Sequence, residues 1–216
     1  MSSQLKVECL SDELKQKSLH DFHEMFALRP ENKHKVVLKN FELQVCRFQQ
    51  SFLKTPTLSF LEKKDAEYRK KSSYMFSGYD DTKNNGELPV VFQPYFDYIK
   101  SKFPDCDFNQ VSINWYENGQ DYIAFHRDCE VGMKGNKNIC ILTFNETEKE
   151  EDARNLEFKF DTKVIGESLQ ENFSIPLYHG SIVILTSQIQ KYYRHGIKQS
   201  PISTRRISMS FRQFEE

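Results

Sequence analysis

At 216 residues the chain is the size of one large domain, or a domain with an extension, and is long enough to bury a sizeable core. Its 30 Lys and Arg against 31 Asp and Glu leave a formal net charge of -1, which excludes a uniformly basic nucleic-acid binder and leaves only a local patch for such contacts. Five scattered cysteines (Cys9, Cys46, Cys106, Cys129 and Cys140) form no CxxC pair, which argues against a disulfide framework or a zinc site and for a reducing compartment.

Residues 1–16 carry no apolar segment of the kind a secretory signal needs, and no apolar run approaches spanning length. The expectation is an intracellular protein, in cytoplasm or nucleus, with no membrane partner and no sign of an obligate oligomer. Ser11 is placed to cap a helix over 12–28, with Leu14, Leu19, Phe22 and Phe26 as its apolar stripe. Arg29-Pro30 breaks it. Residues 36–52 read as short strands, and Pro56 ends that run. The charged stretch 62–71 reads as a solvated loop or short helix, and 80–86 as a turn. Val91, Phe92, Tyr95, Phe96, Ile99 and Phe103 recur at helical spacing, so 90–103 is predicted helical with Pro94 in its first turn.

From residue 111 the period changes to two. Val111, Ile113 and Trp115 face one way, and Ser112, Asn114 and Tyr116 the other. Further strands are predicted at 139–144, 156–160, 174–177, 181–185 and 206–211, a pattern of short strands that indicates a sandwich or barrel. The run 146–155 is strongly charged and reads as solvated surface.

Residues two apart in an extended chain share a face, so His126 and Asp128 project together. With His195 they supply two imidazoles and one carboxylate. That is the ligand set which holds non-haem Fe(II) and leaves positions open for a co-substrate and O2. Arg206, Ser208, Ser210 and Arg212 also share a face, backed by Ile207, Met209 and Phe211. If that face lines the interior of a barrel, its two guanidiniums call for an anion, and a dicarboxylate such as 2-oxoglutarate suits them. Singly, each feature has an ordinary explanation: a surface His-x-Asp pair, a structural His195, an edge strand guarded by its arginines. Their order along predicted strands is the more specific signal.

The stretches SYMFSG (73–78), NWY (114–116), HRDCE (126–130), IPLYHGSIVIL (175–185), RHGI (194–197) and RRISMSFR (205–212) resemble the AlkB-like branch of the Fe(II)/2-oxoglutarate dioxygenases. The resemblance covers about residues 45–214 and is strongest from 111 onward. It implies an α+β, mainly β fold in one domain. A double-stranded β-helix (jelly-roll) core would span 111–214, after an N-terminal extension over 1–60 and a lid with its supporting helix over 61–110.

It further implies His126, Asp128 and His195 as iron ligands and catalytic residues. Arg206 with Tyr116 would meet the distal carboxylate of 2-oxoglutarate, and Arg212 and Asn114 its chelating end. Glu130 matches an acidic position that can meet the exocyclic amine of a base. Tyr74 and Phe76 match an aromatic lid over a flipped nucleotide, and Arg47 and Arg154 fall where relatives carry substrate-side arginines. Phe76 stands where the family often has tyrosine, and the acidic run 146–155 departs from the DNA-repair members.

The implied activity is oxidative demethylation of N-alkylated bases in DNA or RNA, with formaldehyde and succinate released and the base taken out of its stack. Two alternatives stand beside it. One is the same iron chemistry on a protein side chain or small molecule, and the other is a non-catalytic jelly-roll binding module.

Overall fold

The computed structural model describes residues 5–33, 35–38, 41–53, 86–128, 130, 133–162 and 171–214. The expected lid residues Tyr74 and Phe76, and Cys129, lie outside them. The chain opens with a short strand, β1 (Leu5–Cys9), then helix α1 (Asp12–Ala27). Ser11 caps α1 as its spacing predicts, its Oγ accepting the Leu14 N–H at 3.4 Å, and Asp12 and Glu13 sit favourably in the first turn.

The buried face of α1 differs from the predicted stripe. Phe22 and Phe26 are buried together with Met25, but so are Ser18 and Asp21, while Leu14 and Leu19 are half-exposed. The polar pair is tolerated because each is bonded. Ser18 Oγ lies 2.8 Å from both Lys15 O and His179 Nε2, and Asp21 takes Lys17 Nζ at 2.7 Å.

Strands β2 (Lys35–Leu38) and β3 (Phe41–Gln44) pair with each other, and β4 (Phe48–Leu53) follows. A single 3-10 turn, Val90–Phe92, leads into helix α2 (Gln93–Lys102), with Pro94 in the first turn where its missing N–H costs nothing. The remaining strands are β5 (Gln110–Tyr116), β6 (Ile123–His126), β7 (Ile139–Asn145), β8 (Arg154–Phe160), β9 (Phe173–Leu177), β10 (Ser181–Leu185), β11 (Tyr193–Ile197) and β12 (Arg206–Arg212). A short helix, α3 (Ser187–Tyr192), capped by Thr186, joins β10 to β11.

These strands make a six-stranded sheet in the order β1-β10-β7-β12-β5-β4 and a four-stranded sheet in the order β6-β11-β8-β9. Among the described residues every ladder in both is antiparallel, and the architecture is a jelly-roll core with few helices.

The alternation read from 111–116 sorts the core. Val111, Ile113 and Trp115 are all fully buried on the outer face of the larger sheet, packed with α1 and α2 through Phe22, Met25, Phe92, Tyr95 and Ile99. Burying a side chain of this size contributes about 1.5–3 kcal/mol. A second apolar cluster fills one half of the space between the sheets, from Ile139, Ile141, Val183 and Leu185 on one side to Leu156, Phe158, Leu177 and Tyr193 on the other. The other half is polar, and the candidate site lies there. Among the described residues, no helix is long and apolar enough to cross a membrane. The four described cysteines form no disulfide with one another.

Candidate active site

Two adjacent strands of the smaller sheet carry the metal-ligand candidates. His195 on β11 is the direct antiparallel partner of His126 on β6, and their ring centroids lie 4.5 Å apart. Asp128 follows β6 by two residues and points the same way. One of its carboxylate oxygens is 3.6 Å from His126 Nε2 and the other 3.6 Å from His195 Nε2. One ligand atom from each of the three lies within 4.8 Å of the others, a spacing one metal ion can bridge.

The protonation chemistry suits that use. His126 Nδ1 lies 2.8 Å from Ala124 O, so the ring donates there and keeps a lone pair on Nε2. Burial, reinforced by His126 nearby, pushes the His195 imidazole down to about 3, so it stays neutral near pH 7. Burial alone would raise the Asp128 carboxyl. The charge of Arg212 is the largest of the effects that outweigh it and hold the carboxyl well below its usual range. Arg212 Nη2 reaches Asp128 Oδ1 at 3.1 Å, and Gln190 Nε2 on α3 reaches Oδ2 at 3.4 Å.

Across from this group the larger sheet presents its polar face. The β5–β12 register sets Arg206 opposite Tyr116 and Ser208 opposite Asn114. A cleft of about 690 Å3, counting its open mouth, is lined by Arg206, Arg212, Asn114 and Tyr116 together with His126, Asp128 and His195. Its apolar wall is Ile123, Ile141, Leu156, Leu177 and Ile197.

Arg206 is buried. Its guanidinium carbon lies 4.9 Å from the Tyr116 ring centre, and its Nη2 donates to Thr143 Oγ1 at 3.2 Å. Its Nε and Nη1 have no partner among the described residues, and neither do Nε and Nη1 of Arg212. Burial lowers the Arg206 pKa, but a guanidinium remains charged at neutral pH. A buried cation with idle donors facing a cleft fits an anionic ligand. The donor set on the other wall, two imidazoles and a carboxylate, fits a divalent transition metal.

Of the other residues named from sequence, Arg47 also lines this cleft, bonded to Asn114 and Gln49. Glu130 pairs with Lys137 at 3.2 Å and is absent from the described lining. Arg154 stands apart from the residues that line the cleft. It is only 4% exposed and lies behind Tyr116, its guanidinium carbon 5.6 Å from that ring centre. It donates to the Asp121 carbonyl at 2.7 Å and to the Lys198 carbonyl. Burial, then repulsion by Arg206, lowers it to about 10. These contacts brace Tyr116, which lines the cleft.

Two polar neighbours of the site, Gln49 and Gln190, are not picked out by the sequence reading. Gln49 carried a usable signal, since Arg47, Gln49 and Ser51 alternate with Phe48 and Phe52. Gln190 carried none, because only the fold of α3 brings it to Asp128.

An antiparallel jelly roll holding a His-x-Asp and a distant His on adjacent strands defines a class of metal-site β proteins. No family model matches the chain. It is 24% identical over 153 residues to the DNA oxidative demethylase ALKBH2 of Arabidopsis thaliana, across 65% of this chain and 49% of that protein. The chain therefore spans about half the length of this curated relative. Among solved structures, that of OsALKBH1 shares the fold with a TM-score of 0.53 at 10% identity, covering 97% of this chain and 98% of the other. The sequence likeness is thus to an ALKBH demethylase, and the structural likeness is one of fold.

Proposed function

We propose that this chain is an Fe(II)/2-oxoglutarate-dependent dioxygenase that removes N-alkyl groups from nucleobases in DNA or RNA. The observation that carries the reading is the pairing, in one cleft, of the His126-Asp128-His195 group with the buried, partly unpartnered guanidinium of Arg206. His126, Asp128 and His195 would hold the metal through two imidazole nitrogens and a carboxylate. Arg206, backed by Tyr116, would bind the distal carboxylate of 2-oxoglutarate. Arg212 steadies Asp128 and, with Asn114, would meet the other end. Bound there, iron and 2-oxoglutarate supply the oxidising chemistry: O2 converts the co-substrate to succinate and carbon dioxide and puts one oxygen atom into a substrate C–H bond. The apolar wall excludes water from that step. An N-methyl group hydroxylated in this way leaves as formaldehyde, and the proton returns to the base nitrogen.

Purified protein loaded anaerobically with Fe(II) and 2-oxoglutarate, then given O2 and N-methylated oligonucleotides, should yield succinate and lose methyl groups by mass spectrometry. His126→Ala and Asp128→Ala should abolish both, and retained turnover in either variant would overturn the metal assignment. Arg206→Ala should weaken 2-oxoglutarate binding roughly 10- to 100-fold, since it removes charge-assisted bonds in a buried site.

The exposed acidic turn Glu150–Asp152 favours a second reading, in which the same chemistry acts on a protein side chain or small molecule. Succinate without methyl loss, and no salt-dependent nucleic-acid binding, would select it. The proposed setting is intracellular.

A further inference from the structure

The third guanidinium of the cleft, Arg47, has no role in the chemistry above. It is buried, at 6% exposure, and precedes the edge strand β4. Its Nε donates to Asn114 Oδ1 at 2.7 Å and its Nη2 to Gln49 Oε1 at 2.9 Å. The β4–β5 register sets Gln49 directly opposite Asn114, so one planar fork ties a cross-strand pair of amides.

The contact has a definite polarity. A guanidinium only donates, so Asn114 must turn its carbonyl oxygen toward Arg47. Asn114 also lines the cleft, and what it retains for a ligand is the pair of N–H donors on Nδ2. An untethered amide could turn either end to an incoming anion. Its oxygen would repel a carboxylate, and its nitrogen would bind one.

We propose that Arg47 is a positioning residue that locks the Asn114 amide as a donor and so tunes the cleft for a carboxylate-bearing co-substrate. This differs from the expectation that Arg47 meets the substrate. It rests on the reading that 2-oxoglutarate occupies this cleft.

A double-mutant cycle tests it, with 2-oxoglutarate titrated calorimetrically and anaerobically into the Fe(II)-loaded full chain. Arg47→Met and Asn114→Ala should each weaken the Kd about three- to tenfold, the worth of one hydrogen bond. The double variant should bind no more weakly than Asn114→Ala alone, because Arg47 acts through Asn114. Losses that multiply would overturn the proposal by showing that Arg47 acts on the ligand independently. An unchanged Kd in Arg47→Met would overturn it as well. Absence of binding by the unaltered protein would overturn the co-substrate reading itself, a distinguishable result. Should Arg47→Met not fold by circular dichroism, Arg47→Lys keeps the charge and gives up the fork. A similar loss there supports the proposal, and an unchanged Kd overturns it.

Discussion

At the residue scale, the candidate metal centre depends on a glycine that is not a ligand. Gly196 follows His195, and a Cβ on it would lie 2.8 Å from Ile123 O and 3.1 Å from both the Ala124 carbonyl carbon and Phe125 N. All three are backbone atoms of β6, which cannot yield as a flexible side chain would. A side chain at 196 must push β11 away from β6, and with it His195 from His126. Gly196→Ala should therefore lower turnover on the order of 100-fold, as misplacement of about 1 Å can, while the chain stays folded. Wild-type metal affinity and turnover in that variant would show that the strand pair can relax. The same close approach explains why the sequence marks RHGI as a unit: the histidine supplies the chemistry and the glycine the spacing.

At the element scale, a polar contact inside an apolar face helps to join α1 to the larger sheet. Trp115 is fully buried, and its Nε1 donates to the Met25 carbonyl at 2.9 Å, near the C-terminal end of α1. Trp115→Phe would remove the donor, strand a buried carbonyl and leave a small cavity. A loss of about 2–4 kcal/mol is expected. Urea unfolding followed by circular dichroism measures it, since the substitution removes the chain's one Trp and its fluorescence. A cost near zero would mean that the helix end re-forms its contacts. The inward direction of Trp115 follows from strand alternation. Its partner on α1 does not, because residues 90 apart meet only through packing.

At the scale of the whole molecule, His179 ties the N-terminal helix to the β9–β10 turn and to β7. Its Nδ1 lies 3.1 Å from the Asn145 N–H and its Nε2 2.8 Å from Ser18 Oγ. Ser18 in turn lies 2.8 Å from the Lys15 carbonyl. Since Ser18 donates to Lys15 O, Nε2 donates to Ser18 Oγ, while Nδ1 also lies 2.9 Å from the Asn145 carbonyl oxygen. Burial lowers the His179 pKa from its ordinary value of 6.5. Its contribution to stability is therefore fully present above the unfolded pKa of about 6.5 and is lost as pH falls through the lower folded value. The difference in unfolding free energy between the wild-type chain and His179→Gln should shrink as pH falls below about 6.5, in chemical denaturation across pH 4–8. A difference that does not vary with pH would show that the ring is not held neutral.

Much of this arrangement was legible before folding. Period two assigned the faces of β5 and β12, the spacing of His126 and Asp128 put two candidate ligands on one side, and Ser11 marked the start of α1, because each is a relation between near neighbours set by backbone geometry. Other features are relations between distant segments. Strand β1, exposed and carrying Lys6 and Glu8, becomes a strand only by pairing with β10. His195 meets His126 only because β11 lies against β6 in that register. Arg154 and Arg47 match substrate-side arginines by resemblance, but only the fold sets Arg154 against Tyr116 and Arg47, just ahead of β4, beside Asn114. The sequence by itself determined which chemistry-bearing side chains exist and which neighbours share a face. Only the tertiary structure decided which of them are buried, which meet, and which buried charges are left facing the cleft, because those depend on how sheets and helices stack rather than on any local preference.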